Sequence, residues 1–145
     1  MDPPVIYLPE KAVDTVHQIL RQFGKLDRGR LPVELIGIRP GDEIELTREL
    51  VVTVAKTFHT VPAMSFLVWE RRKKLKDEFQ GLDGPKIREL KENGVEITHE
   101  TRSPIVGYLG DSSPRGLDET PDLYKAKILI TEMTFLAPVH RKELI

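Results

Sequence analysis

The stretch Ile105-Val106-Gly107-Tyr108-Leu109-Gly110-Asp111-Ser112-Ser113 decides how this chain is read. It opens with an apolar run of strand length, bounded by Pro104 on one side and by Ser112-Ser113-Pro114 on the other. Gly110 lets the backbone turn tightly or pass close to another group. The run then delivers Asp111, and a carboxylate at the mouth of a buried strand is costly unless it is paired, hydrogen-bonded or bound to a metal. Taken alone, the plain reading is a strand that ends in a polar turn with Asp111 capping it.

Two other strands are expected to end in comparable groups. Residues 50–59 read as a strand with Val52, Val54 and Phe58 on one face. Val51, Thr53, Ala55, Thr57 and His59 share the other face, which is smaller and more polar. Residues 126–131 form a nearly continuous apolar run, the kind buried on both faces, and Glu132 follows it. His59, Asp111 and Glu132 thus stand at the ends of three strands, where sites gather in sheets flanked by helices. Imidazole and carboxylate suit zinc or a harder divalent ion.

The remaining segments predict a mixed α/β chain of the α+β kind, with a mixed sheet and flanking helices. Residues 5–8 read as a short strand between prolines. Pro9-Glu10 opens a helix with apolar positions Val13, Val16, Leu20 and Phe23, and Gly24 sits where a C-terminal cap is expected. His17 falls on the partly exposed side of that helix. Residues 33–38 form another strand, Pro40-Gly41-Asp42 a hairpin-type turn, and residues 43–47 an alternating, half-exposed strand. Residues 65–70 are extended. Gly84-Pro85 starts a second helix, with Ile87 and Leu90 on its apolar stripe, and Asn93-Gly94 ends it. Residues 95–100 alternate again, with His99 at the surface. Residues 115–124 are turn-rich, and residues 139–145 read as the start of a helix.

Composition sets the outer bounds. The chain has 145 residues, which predicts one domain with a modest core. A formal net charge of −1 supplies no global field for nucleic acid, so any such binding needs a local patch. The one basic run is Arg71-Arg72-Lys73-Lys74-Leu75-Lys76. It reads either as a solvated strand end or loop, or as a phosphate-contacting surface, with Asp77, Glu78 and Asp83 diluting its field. The absence of cysteine excludes disulfides and thiolate metal sites, so a transition-metal site must use the four histidines and the carboxylates. No apolar stretch is long enough to span a membrane, and Met1-Asp2-Pro3-Pro4 lacks the basic and apolar regions of a secretory signal, so the default expectation is cytoplasmic.

Five segments occur together and in order: Phe58-His59-Thr60-Val61-Pro62, residues 74–82, residues 89–98, Gly110-Asp111-Ser112-Ser113, and residues 129–136. Over nearly the whole chain this resembles the middle and later part of a ribonuclease Z-like metallohydrolase of the metallo-β-lactamase fold. The resemblance implies a partial αββα sandwich as one domain over residues 1–145. It also implies two zinc ions in the complete site and phosphodiester cleavage by a metal-bound hydroxide, in ribonuclease Z at the 3′ end of precursor transfer RNA. By resemblance His59 is a zinc ligand, Asp111 the aspartate bridging both metals, and Glu132 the acid implicated in proton transfer. Ser112 replaces the usual threonine of the Gly-Asp-Thr motif, and Thr131 stands where some members carry a histidine.

The His-x-His-x-Asp-His motif and the last metal histidine of that family are not in these 145 residues. Catalytic zinc usually takes three protein ligands. The expectation is therefore a piece of a metallohydrolase, whether truncated or one half of a split protein. By itself it would be inactive and would bind zinc weakly or not at all. Its uncovered apolar faces would favour self-association or a complementing fragment. The alternatives are a non-catalytic interaction or RNA-binding module that uses Arg71, Arg72, Lys73, Lys74 and Lys76, and an unrelated structural α/β domain.

Overall fold

The computed structural model describes residues 2–132 apart from 27, 28 and 30. The expected helix at 139–145 lies outside the described residues. Strand β1 (Val5–Pro9) leads through a short 3-10 turn into helix α1 (Val13–Gly24) and then β2 (Glu34–Ile38), which pairs parallel to β1. A five-stranded sheet follows in the order β3 (Glu43–Thr47), β4 (Leu50–Lys56), β5 (Met64–Leu75), β6 (Thr98–Tyr108) and β7 (Ile128–Ile130). Its first three pairings are antiparallel and the last is parallel. Helix α2 (Gly84–Glu92) lies in the β5–β6 connection, and α3 (Arg115–Glu119) with the 3-10 segment Pro121–Lys125 lies between β6 and β7.

Alternation along the central strands builds a core on each side of this sheet. Val52, Val54, Phe66 and Val68 face Ile38 and Ile36 of β2, together with Ile44. Leu67 and Trp69 face the other way and pack with Leu109, Leu117, Leu123 and Ala126. The period of two therefore gives β4 and β5 two apolar faces, each covered by a different element. Trp69 directs its indole Nε1–H to Thr53 Oγ1 at 2.9 Å, so its polar atom is satisfied beside the core.

Several sequence expectations hold. Pro85 occupies the first turn of α2 and Gly94 follows its end at φ +75°; Asp83, not singled out as a cap from sequence, accepts from the Lys86 amide at 3.2 Å. His17 and His99 are exposed. Others need correction. Pro40-Gly41-Asp42 does not close a hairpin: it carries the chain from the β1–β2 pair into the five-stranded sheet, and Thr47 supports the real β3–β4 turn by accepting from the amides of Glu49 and Leu50. Pro104 does not bound the central strand. Strand β6 runs through it, with Trp69 opposite Pro104 and Val68 opposite Val106, so Ile105 is an extra residue without a partner on β5. A β-bulge absorbs the missing proline donor. The run at 126–131 is not buried on both faces. Only residues 128–130 of it are strand, and among the described residues they form an edge, with Ile128 57% and Ile130 48% exposed. An edge has one neighbour, so its hydrophobicity cannot be covered by its own sheet.

Of the two readings of the basic run the strand end holds: it is the outer half of β5, beyond the last β4 rung at Leu50–Glu70, where β6 is the paired strand among the described residues. Arg71 is largely taken up there. It donates through Nε and Nη2 to the Arg48 carbonyl and lies 2.8 Å from Glu45. That hydrogen bond and charge hold the Glu45 carboxyl below its ordinary range. A depressed carboxyl contributes stability that is present above its unfolded value of about 4.3 and is lost as pH falls through the folded value. Glu45→Gln is therefore expected to lower the thermal midpoint at neutral pH. The difference from wild type should vanish in acid, where both side chains are neutral; thermal scans across pH and salt check this.

Candidate metal centre

Strand direction gathers the candidate residues at one end of the sheet. Strands β4 and β6 each pair antiparallel with β5, and β7 is parallel to β6, so β4, β6 and β7 run the same way. Their last rungs are Lys56–Met64, Phe66–Tyr108 and Tyr108–Ile130. His59, Asp111 and Glu132 all follow those rungs by two or three residues. His59 does not end its strand as expected; β4 stops at Lys56, and His59 lies in the loop that returns to β5.

Two loops are stitched together to present the pair. The Phe58 amide donates to Ser112 Oγ at 3.0 Å, and the Ser113 amide donates to the Phe58 carbonyl at 3.0 Å. Below them Ser65, fully buried, donates its hydroxyl to the Leu109 carbonyl at 2.6 Å. Gly110 turns the chain at φ +69°, and a Cβ there would lie 2.8 Å from the Met64 carbonyl oxygen. This is the tight turn its sequence position predicts. Gly110→Ala is expected to cost about 1–3 kcal/mol through backbone strain and the clash, measured by urea unfolding.

The result is that His59 Nε2 lies 3.2 Å from Asp111 Oδ2. The Val61 amide donates to His59 Nδ1 at 3.3 Å, which orients the ring with Nε2 toward Asp111. Both side chains are partly exposed, at 32% and 53%. An imidazole nitrogen and a carboxylate oxygen are donors that zinc accepts. Zinc bonds of about 2.0–2.1 Å at tetrahedral angles set roughly 3.3 Å between two donors, close to the observed spacing. The pair fits part of a zinc site. Among the described residues no group of three His, Asp or Glu is close enough to hold one ion, so Glu132 is not drawn in as a third ligand.

Phe58 next to this pair is a feature that sequence reading missed. Lys56 Nζ lies 4.8 Å and the Arg115 guanidinium 4.3 Å from its ring centroid. Arg115 sits in the segment read only as turn-rich, and no local pattern signals that it reaches back to the β4–β5 loop. The expected nucleic-acid contacts are unevenly placed: Arg71 is held as described, Arg72 pairs with Glu70 at 2.6 Å, and Lys73 and Lys74 are exposed. Lys76 is half-buried.

Comparison with known proteins shows what the chain is similar to. The chain is 39% identical over 138 residues to tRNase Z TRZ1 of Arabidopsis thaliana, covering 94% of this chain and 49% of that protein. This is a ribonuclease Z-like chain. It is also 33% identical over 138 residues to the chloroplastic tRNase Z TRZ2 of the same plant, covering 94% of the chain and 39% of that protein. A nuclear ribonuclease Z of Triticum aestivum is 35% identical over 97 residues, covering 67% of the chain and 55% of that protein. No family profile matches. The ribonuclease Z-like chain spans about half the length of the curated relatives it matches. Its mixed α/β architecture around a mixed five-stranded sheet is consistent with part of a metallo-β-lactamase sandwich. Among the described residues no helix is long and apolar enough to cross a membrane.

Proposed function

We propose that this ribonuclease Z-like chain contributes one side of a zinc-dependent phosphodiesterase site that processes the 3′ end of precursor transfer RNA. The observation that carries the reading is the 3.2 Å approach of His59 to Asp111, from loops more than fifty residues apart, in a chain 39% identical to a tRNase Z. His59 and Asp111 are the zinc ligands of this reading. Zinc, when bound, lowers the pKa of water and stabilises charge on a phosphoryl oxygen. Asp111 carries the negative charge that draws the cation, and the Phe58–Ser112 and Phe58–Ser113 hydrogen bonds fix its position relative to His59. Glu132, at the same end of the sheet, is the proton donor to the leaving oxygen. Lys73 and Lys74, exposed on the outer half of β5, and Arg72 beside them are the RNA backbone contacts of this reading.

Two ligands are fewer than a catalytic zinc requires. The remaining donors come from outside the described residues, and a complementing segment or second chain is their source. The chain acts in the cytoplasm on this reading, although the named relatives include chloroplastic and nuclear proteins. Zinc calorimetry on the chain tests the proposal. Weak binding that disappears in both His59→Ala and Asp111→Asn is expected. Tight stoichiometric binding indifferent to both substitutions would contradict it.

A further inference from the structure

Lys56 ends β4 and Arg115 opens α3, yet both bring their charges to the ring of Phe58, the residue directly before His59. The Phe58 backbone is bonded on both its amide and its carbonyl to the loop that carries Asp111. The two cations and the ring are therefore anchored to the same pair of loops that carries His59 and Asp111. A single cation over an aromatic face is a stabilising contact. A second cation at the same ring adds repulsion from the first. Arg115 is partly balanced by Glu119, with Nε 2.6 Å from Oε1. Lys56 is exposed and enters no ion pair among the described residues. Two cations held at one ring, one of them unbalanced, favour an anion at this surface.

We propose that Lys56 and Arg115 contact a backbone phosphodiester of a bound RNA strand at Phe58, beside His59 and Asp111. The inference deepens the phosphodiesterase reading and rests on it for the choice of RNA as the anion's source. It gives the substrate a second set of contacts, at the sheet end rather than along the outer half of β5. The contact is electrostatic, so it is independent of base sequence.

The test is fluorescence anisotropy of a labelled oligoribonucleotide with a single-stranded 3′ end, titrated with the full chain over a range of chloride concentrations. Removing a phosphate contact to a single strand flattens the slope of log K against log salt by about 0.7. Lys56→Gln and Arg115→Gln are each expected to flatten it by that amount, with Arg115→Lys close to wild type. Arg88→Gln, a distant surface cation on α2, serves as the control and is expected to leave the slope unchanged. A merely structural role for the cations, holding Phe58 in place, would shift the melting temperature and leave the slope alone. Should Arg115→Gln melt early, Lys56→Gln at an exposed strand end carries the measurement. An unchanged slope in Lys56→Gln and Arg115→Gln overturns the inference, as does a wild-type chain that binds no RNA. Inorganic phosphate that raises the melting temperature through Lys56 and Arg115 while RNA does not would assign the site to the free anion and also overturn it. Zinc calorimetry on His59→Ala reads the metal ligands separately, so either idea can fail while the other stands.

Discussion

Leu123→Ala is expected to destabilise the protein by about 2–5 kcal/mol, the range for emptying a fully buried leucine site. Leu123 has no exposed surface and packs with Leu67 and Leu109 under the C-terminal end of β6. Its neighbours cannot collapse easily into the space. Leu67 is fixed in the central strand β5, and the closeness of Leu123 to Gly107 is already such that a Cβ there would stand 2.9 Å from Leu123 Cδ2. Urea unfolding gives the number. The same substitution is expected to loosen the 3-10 segment Pro121–Lys125 and the base of the Gly110-Asp111 turn, because Leu109 rests on Leu123. A loss below about 1 kcal/mol would mean that this side of the sheet is not the packed core its burial implies.

Asp111→Asn is expected to have the largest functional effect. It keeps the shape of the side chain and its hydrogen-bonding reach to His59, and removes the charge that a cation needs. Loss of partners outside the ligand set typically costs 10–100-fold in metal affinity; loss of a direct ligand is expected to exceed about 100-fold, read as disappearance of the zinc isotherm. Stability should change by no more than about 1 kcal/mol, since the pair is partly exposed and such ion pairs are worth about 0–1 kcal/mol. The split between the two readouts matters. A stability loss as large as that of Leu123→Ala, with zinc binding retained, would make Asp111 a structural cap, the plain reading of its strand end.

Much of the fold was legible in the sequence because it rests on local periods and local breakers. The alternation expected over 50–59, which the strand carries as far as Lys56, the proline and glycine that bracket α2, and the tight turn at Gly110 appear where the residues place them. The ordered set of segments that resembles ribonuclease Z was legible too, and 39% identity to a tRNase Z accords with it. Burial at the sheet edge was not. The run at 126–131 has the hydrophobicity of a central strand, but hydrophobicity reports what a residue tolerates and not how many neighbours it receives. The turn-rich label at 115–124 hid both a core residue, Leu123, and a site neighbour, Arg115, since short helices carry too few residues to show a period.

The sequence by itself determined which groups could serve chemistry, an imidazole and two carboxylates each following a strand, and which side chains could share a face. Only the tertiary structure decided that His59 meets Asp111 at 3.2 Å, that Arg71 is taken by Glu45, and that Lys56 and Arg115 converge on Phe58. The reason is that periodicity is written between neighbours in the chain. Strand order, register and loop-to-loop hydrogen bonds depend on pairings between residues distant in the chain, which cooperative packing of the whole sheet selects.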